Sequence, residues 1–249
     1  MGRILCIGDS NTYGYDPHFY FGDCYGLVCF KMPVGMSLLL RQLNNPKECR
    51  INNLILCRFC CAAAKTWQII TSAIPTFQKD LRLFNCRSNN CGQNGREIPK
   101  WESQFSAYAQ MVREELPLAL VTVMLGSNDL LQSSRFTAED VTRRMEVFLS
   151  YLIGVLPNIR FLLIAPPSMQ SGEWVREKRL LTESAWLGGC YADLATRLGI
   201  AFVDAGGWSV GLCYDGVHFT TEGHRAFAVG VDRLLDSLDY SDKGKTGRL

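Results

Sequence analysis

Ser10 closes a short apolar run, Arg-Ile-Leu-Cys-Ile at residues 3–7, after a Gly8-Asp9 turn. It therefore stands where a buried strand ends and a polar side chain first becomes accessible. A serine in that position becomes a nucleophile if a base can take its proton. The chain holds only 3 histidines, and one of them, His218, follows Asp215 by three residues in Asp-Gly-Val-His. That spacing lets the carboxylate fold back onto the imidazole Nδ1–H, which fixes the tautomer and turns Nε2 toward a nucleophile. The same carboxylate stabilises the imidazolium formed when the base is protonated. Asn128, in Leu-Gly-Ser-Asn-Asp at residues 125–129, carries an amide that can donate to a developing oxyanion, and Gly126 permits the tight turn before it. Gly95, in Gln-Asn-Gly-Arg, offers an exposed backbone N–H as a further donor. Nucleophile, oriented base and oxyanion donors together describe acyl transfer.

Each piece also has a plainer reading. Asp-Ser-Asn is a common turn, as are Asn-Asp after a strand and Gly-Asn in a loop. Asp215 could simply cap the helix that follows it. Tyr13, Tyr15 and Trp174 are candidates for an apolar pocket wall, with ordinary packing as the alternative. His18 lies in a loop near Ser10 and is a candidate for the site mouth, whereas His224 falls inside a helical pattern as an exposed or packing residue. What favours chemistry is the order of the pieces and the element that each one follows.

Those elements read clearly over most of the chain. Nearly continuous apolar runs at residues 3–7, 118–125, 159–165 and 200–203 are expected for parallel strands covered on both faces. Helical patterns separate them. Residues 99–116 carry Phe105, Tyr108, Val112 and Leu116 on one stripe. Thr137 to Asp140 forms a capping-box variant that opens a helix with Val141, Met145, Phe148, Leu149, Leu152 and Leu156 inward. Residues 176–198 form a third helix stopped by Gly199, and residues 221–238 a fourth with Phe227, Val231, Leu234 and Leu238 aligned. Strands alternating with helices predict a doubly wound α/β domain. That edge of such a sheet is where ligands bind, and a helix after the first strand would turn its N–H groups toward Ser10. Residues 35–43 could supply this helix. The second strand has two competing candidates, residues 50–56 and residues 83–89. We read residues 1–238 as one domain with an atypical segment at 24–89, and residues 239–249 as a flexible tail.

Bulk properties exclude several classes. A chain of 249 residues with 47% hydrophobic and 20% charged residues can bury a core, and a net charge of +2 argues against a nucleic-acid binder. The first residues contain no signal-peptide pattern and no apolar run reaches spanning length, so the reading is a cytoplasmic protein without a membrane partner. Eight of the 11 cysteines lie between positions 24 and 91. Free thiols are the default here. The sharper reading, a metal held by Cys57, Cys60, Cys86 and Cys91, lacks a repeated Cys-x-x-Cys spacing.

Set side by side, the four blocks resemble the SGNH-hydrolase family, also called GDSL esterases and lipases. Gly8-Asp9-Ser10 matches its first block, with Asn11 in place of the usual Leu. Gly95 fits the second block, Gly126-Ser127-Asn128-Asp129 the third and Asp215-Gly-Val-His218 the last. Residues 3–15, 120–130 and 215–224 are most similar to the bacterial arylesterase and acyltransferase branch. The resemblance covers residues 1–23 and 90–238 and fails over 24–89. It implies a flavodoxin-like three-layer α/β/α sandwich around a five-stranded parallel sheet. It also implies Ser10 as nucleophile, His218 as base, Asp215 as its orienting acid, and an oxyanion hole of the Ser10 and Gly95 N–H groups with the Asn128 side chain. The implied reaction is hydrolysis of small carboxylic esters without metal or cofactor, with thioesters and sugar O-acetyl groups open as substrates. Specificity would reside in loops 14–23, 130–136 and 168–174. Two other readings stay open: a flavodoxin-like module that binds an anion and catalyses nothing, and a hydrolase inactivated by segment 24–89, itself either a native insertion or an aberrant stretch. Asp215-x-x-His218 argues against the first, since an anion binder has no need of that pair.

Overall fold

The computed structural model describes residues 3–15, 17 and 87–243. Five strands form one parallel sheet: β1 (Arg3–Gly8), β2 (Arg87–Gly92), β3 (Leu120–Met124), β4 (Phe161–Ala165) and β5 (Ala201–Asp204), in the order β2-β1-β3-β4-β5. The helices are a single turn α1 (Ser10–Tyr13), then α2 (Glu102–Glu114), α3 (Ser127–Gln132), α4 (Ala138–Val155), α5 (Lys178–Leu198) and α6 (Thr221–Lys243). None of the described helices is long and apolar enough to cross a membrane.

The apolar runs have the expected cause. In β4, Phe161, Leu163 and Ala165 join one core with α2, α4 and α5, while Leu162 and Ile164 join a second core with Val210 and Phe219, against which Phe227 and Leu234 of α6 pack. Side chains alternate across a strand, so a sheet covered on both faces needs apolar residues at every position. The result is the three-layer α/β/α sandwich.

Helix ends follow local chemistry. Thr137 Oγ1 accepts from Asp140 N at 3.2 Å and Asp140 Oδ2 accepts from Thr137 N at 3.0 Å, so the shorter Asp serves in the capping box. Its buried stripe, Val141, Met145, Phe148, Leu149, Leu152 and Leu156, is the one expected. Gly199 ends α5 in the left-handed region (φ 66°), which a glycine adopts without strain.

Four expectations need correction. The second strand is Arg87–Gly92, displaced toward the C-terminus from the candidate at 83–89. Residues 50–56 and 35–43 lie outside the described residues. Helix α2 is shorter than residues 99–116, and Leu116 lies beyond its end and is exposed. Helix α6 runs to Lys243, so residues 239–243 are helical and do not belong to a tail. The expected loop 130–136 begins inside a short helix, Ser127–Gln132, whose N-cap is Gly126.

Phe148 is fully buried, with ring centroids 5.8 Å from Phe105 and 5.2 Å from Tyr108, and so joins α4 to α2. Phe148→Ala should lower the unfolding free energy by about 3–5 kcal/mol, since the removed ring leaves a cavity between two rigid helices. Urea unfolding of both proteins measures it, and a loss below about 1 kcal/mol would show that α2 and α4 are held by other contacts.

Candidate active site

The order of the strands decides where the chemistry collects. Connections leave β1 toward β2 on one side, and β3 stands on the other, so a crevice opens at the carboxyl ends of β1 and β3. Ser10 lies immediately past β1, the Gly95 turn past β2 and Asn128 past β3.

Ser10 is buried as the first residue of α1. Asp9 caps this turn, its Oδ1 accepting from Asn11 N at 3.0 Å. The expected helix aimed at the serine is thus only one turn long, and the second of its N–H groups, that of Asn11, is engaged by Asp9. No side chain fits at Gly8: a Cβ there would lie 1.8 Å from Thr12 Oγ1.

His218 Nε2 lies 3.0 Å from Ser10 Oγ, and its Nδ1 lies 2.7 Å from Asp215 Oδ2. A carboxylate only accepts, so Nδ1 carries the hydrogen and Nε2 accepts from the serine hydroxyl. The second carboxylate oxygen, Oδ1, accepts from the backbone N–H groups of Val217 at 2.9 Å and His218 at 3.0 Å. Asp215 is completely buried, and burial works to raise its pKa. The His218 ring hydrogen bond, the two backbone N–H donors and the His218 charge outweigh burial and hold it below the ordinary carboxylate value.

A neighbouring loop fixes the turn that carries Asp215. Gln170 N donates to Gly216 O at 3.0 Å, Glu173 N to Tyr214 O at 3.1 Å and Trp174 N to Asp215 O at 3.2 Å. Gly216 has φ 82°, and a Cβ there would lie 2.1 Å from Gln170 O, so the two segments meet only because this residue is glycine. Trp174 meets the His218 ring edge-on at 5.0 Å, and Tyr15 lies 4.6 Å from the same ring. These two proposed wall residues therefore flank the His218 ring. Tyr13 takes another position, its backbone packed against Gly92 of β2. The His224 ring lies 5.2 Å from that of Phe219, tilted at 60°, and His18 lies outside the described residues.

The oxyanion candidates converge through Arg96. Asn128 Nδ2 donates to Arg96 O at 3.1 Å, which leaves its second amide hydrogen uncommitted in that bond, and Gly95 precedes with φ 69°. The Arg96 side chain donates from Nη1 to Gly8 O at 3.0 Å and also to Cys91 O, stitching the ends of β1 and β2. Asp129 is fully buried, accepts from Ile98 N at 3.0 Å and lies 2.6 Å from Arg144 Nη1. Burial raises the Asp129 carboxyl to about 6, against the opposing pull of the Ile98 N–H and the Arg144 charge. Arg96, Asp129 and Asn11 were not singled out as separate roles from sequence. The signal for the last two was their place beside the motif serine and asparagine, but Asp129 bonds Ile98 N across 31 positions and Asn11 bonds Phe219 N across 208.

Among the described residues no cluster of three or more His, Cys, Asp or Glu could hold a metal ion. Cys57, Cys60 and Cys86, which the metal reading required, lie outside the described residues, and Cys91 carries a free thiol.

Residues 78–226 match the family model described as GDSL-like Lipase/Acylhydrolase family, a span that includes Gly95, Asn128, Asp215 and His218 and begins after Ser10. Among solved structures, the chain is similar to the native aryl esterase of M. smegmatis, with 21% identity, a TM-score of 0.63 and coverage of 96% of this chain and 100% of that one. It is also similar to a carbohydrate acetylesterase family member from Sinorhizobium meliloti, with 20% identity, a TM-score of 0.60 and coverage of 94% and 97%. These likenesses establish the fold. No curated protein matches the chain.

Asp9 yields a test of the buried turn. Burial raises its carboxyl to about 6, opposed by the Asn11 N–H, His218, the Thr12 N–H and Arg96. A folded-state value above the unfolded one gives stability that is full below the unfolded value of 3.8 and is lost as pH rises through about 6. Asp9→Asn keeps the capping acceptor and removes the titration. The stability of wild type relative to this variant should fall by on the order of 2–3 kcal/mol between pH 3 and pH 7. Urea midpoints across that range measure it, and parallel curves for the two proteins would contradict the buried, proton-retaining carboxyl.

Proposed function

The chain belongs to the GDSL-like lipase/acylhydrolase family and is a carboxylic ester hydrolase, and on that premise we propose that it cleaves small esters through an acyl intermediate on Ser10. The observation that carries this reading is the continuous chain Ser10 Oγ to His218 Nε2 at 3.0 Å and His218 Nδ1 to Asp215 Oδ2 at 2.7 Å. As Ser10 Oγ attacks the ester carbonyl, its proton passes to His218 Nε2. Asp215 holds the resulting imidazolium by charge and by its hydrogen bond. The negative charge on the former carbonyl oxygen is met by the Ser10 and Gly95 N–H groups and the free Asn128 amide hydrogen. His218 returns the proton to the leaving alcohol. Water, deprotonated by the same nitrogen, then attacks the acyl-Ser10 carbonyl; the bond from the carbonyl carbon to Ser10 Oγ breaks, Nε2 returns the proton to Oγ, and the acid is released. No step requires a metal or a cofactor.

Ser10→Ala should abolish ester hydrolysis, by on the order of 10⁴-fold or more, with unchanged circular dichroism. A fluorophosphonate probe should label the wild type at Ser10 and leave the variant unlabelled. Wild-type turnover by a clean Ser10→Ala preparation would remove Ser10 from the mechanism.

The same reading sets a preference for acyl length. Trp174 and Tyr15 stand against the His218 ring, and three backbone hydrogen bonds tie the Trp174 loop to the Asp215 turn. A wall so fixed does not swing aside for a long chain, and a methylene gains about 0.8 kcal/mol only where it is buried. Acetate and butyrate esters should therefore be cleaved faster than laurate or palmitate esters. Measuring kcat/KM along a p-nitrophenyl ester series checks this, and a maximum at twelve carbons or more would overturn it.

A further inference from the structure

We propose that Asn11 is a positioning residue: its buried side-chain amide clamps the backbone on both sides of His218 and so fixes the base relative to the serine beside it in sequence. Asn11 Nδ2 donates to Val217 O at 3.2 Å, and Asn11 Oδ1 accepts from Phe219 N at 3.0 Å. The polarity of these partners admits one orientation of the amide, because the carbonyl only accepts and the N–H only donates. Asn11 is 6% exposed, so neither backbone group has water as a ready substitute.

The surrounding bonds show what the clamp adds. Val217 N and His218 N donate to Asp215 Oδ1, at 2.9 and 3.0 Å. Cys213 N donates to His218 O at 2.7 Å, and Cys213 Sγ donates to Phe219 O at 3.3 Å. All of these lie within residues 213–219 and hold the loop to itself. Beside the His218 Nε2–Ser10 Oγ contact itself, Asn11 supplies two further bonds from this stretch to the nucleophile's own turn, across 206 and 208 positions. Its backbone is held in turn by Asp9 Oδ1, which accepts from Asn11 N at 3.0 Å. The separation of Ser10 Oγ and His218 Nε2 is thus set through a short rigid path: serine backbone, Asn11 side chain, Val217 and Phe219 backbone, His218 ring. An apolar side chain of similar size at position 11 fills the space but leaves the base free to drift from the serine.

The inference rests on the proposed roles of Ser10 and His218, and the experiment separates the two. Wild type, Asn11→Leu and Asn11→Asp are reacted with a fluorophosphonate, and both the fraction labelled at completion and the rate constant are recorded, beside kcat and KM for an acetate ester. Asn11→Leu removes both bonds. Asn11→Asp keeps the acceptor for Phe219 N–H and turns an oxygen toward the Val217 carbonyl. The clamp requires complete labelling at a rate slowed about 10–100-fold in Asn11→Leu, a smaller slowing in Asn11→Asp, an equal fall in kcat, and KM within about twofold, because a base misplaced by a fraction of an ångström loses that order of rate. A reduced labelled fraction reacting at the wild-type rate would mean that Asn11 only supports folding, and wild-type rates in both variants would mean that the bonds are idle; either result overturns the proposal. If Asn11→Leu does not fold, the rate of Asn11→Asp decides alone. Failure of the wild type to label at Ser10 would instead refute the underlying assignment of the nucleophile.

Discussion

A carboxylate with no access to water must find donors for its oxygens or give up its charge, and Asp215 is completely buried. It is satisfied by three hydrogens: the His218 ring N–H and the N–H groups of Val217 and His218. All three come from residues within three positions, so the turn must close tightly around the carboxylate. That closure requires Gly216 in the left-handed region and requires the chain at residue 170 to pass within reach of it. The direction of the His218 ring then follows from the same bond that keeps Asp215 charged. Stability and orientation at this site have one cause.

The sheet supplies the complementary constraint. Parallel strands bring all their carboxyl ends to one edge, and the order β2-β1-β3-β4-β5 puts β1 between the strands that precede the Gly95 turn and Asn128. Residues separated by tens to hundreds of positions thereby share a crevice. Arg96 and Asp129 hold the loops at that edge in register, one by donating to Gly8 O and the other by accepting from Ile98 N. The strands place the loops, and a few buried polar side chains set the distances between them.

How much of this was legible in the sequence depended on the range of the interaction. Both-face burial writes an unbroken apolar run, so β1, β3 and β4 could be read directly; β5, half-buried at the sheet edge, was legible from its own short apolar run, and the capping box at Thr137 and the glycine stop at Gly199 were legible as well. Asp215 and His218 lie three residues apart, and their pairing was visible for that reason. The strand Arg87–Gly92 was harder, because Arg-Ser-Asn-Asn-Cys-Gly carries almost no apolar signal and sits at the sheet edge beside β1. The functions of Asn11 and Arg96 were hidden for a different reason. Both act by hydrogen-bonding the backbone, and a backbone partner leaves no mark in the sequence at the position where it is found.

The three backbone hydrogen bonds between residues 170–174 and the turn at 214–216 carry a consequence for variation in this fold. The segment bearing Trp174 and the segment bearing Asp215 are thereby tied to each other, through a glycine that leaves no room for a side chain. A lineage that remodels this wall to admit a new substrate also disturbs Asp215 behind the His218 ring. The segment 133–136 between α3 and α4 is different, since it leads into the capping box of α4 and has no such tie to the Asp215 turn among the described residues. Diversification of substrate range should therefore accumulate on the α3–α4 side of the crevice, and the Trp174 side should change slowly even where no substrate touches it.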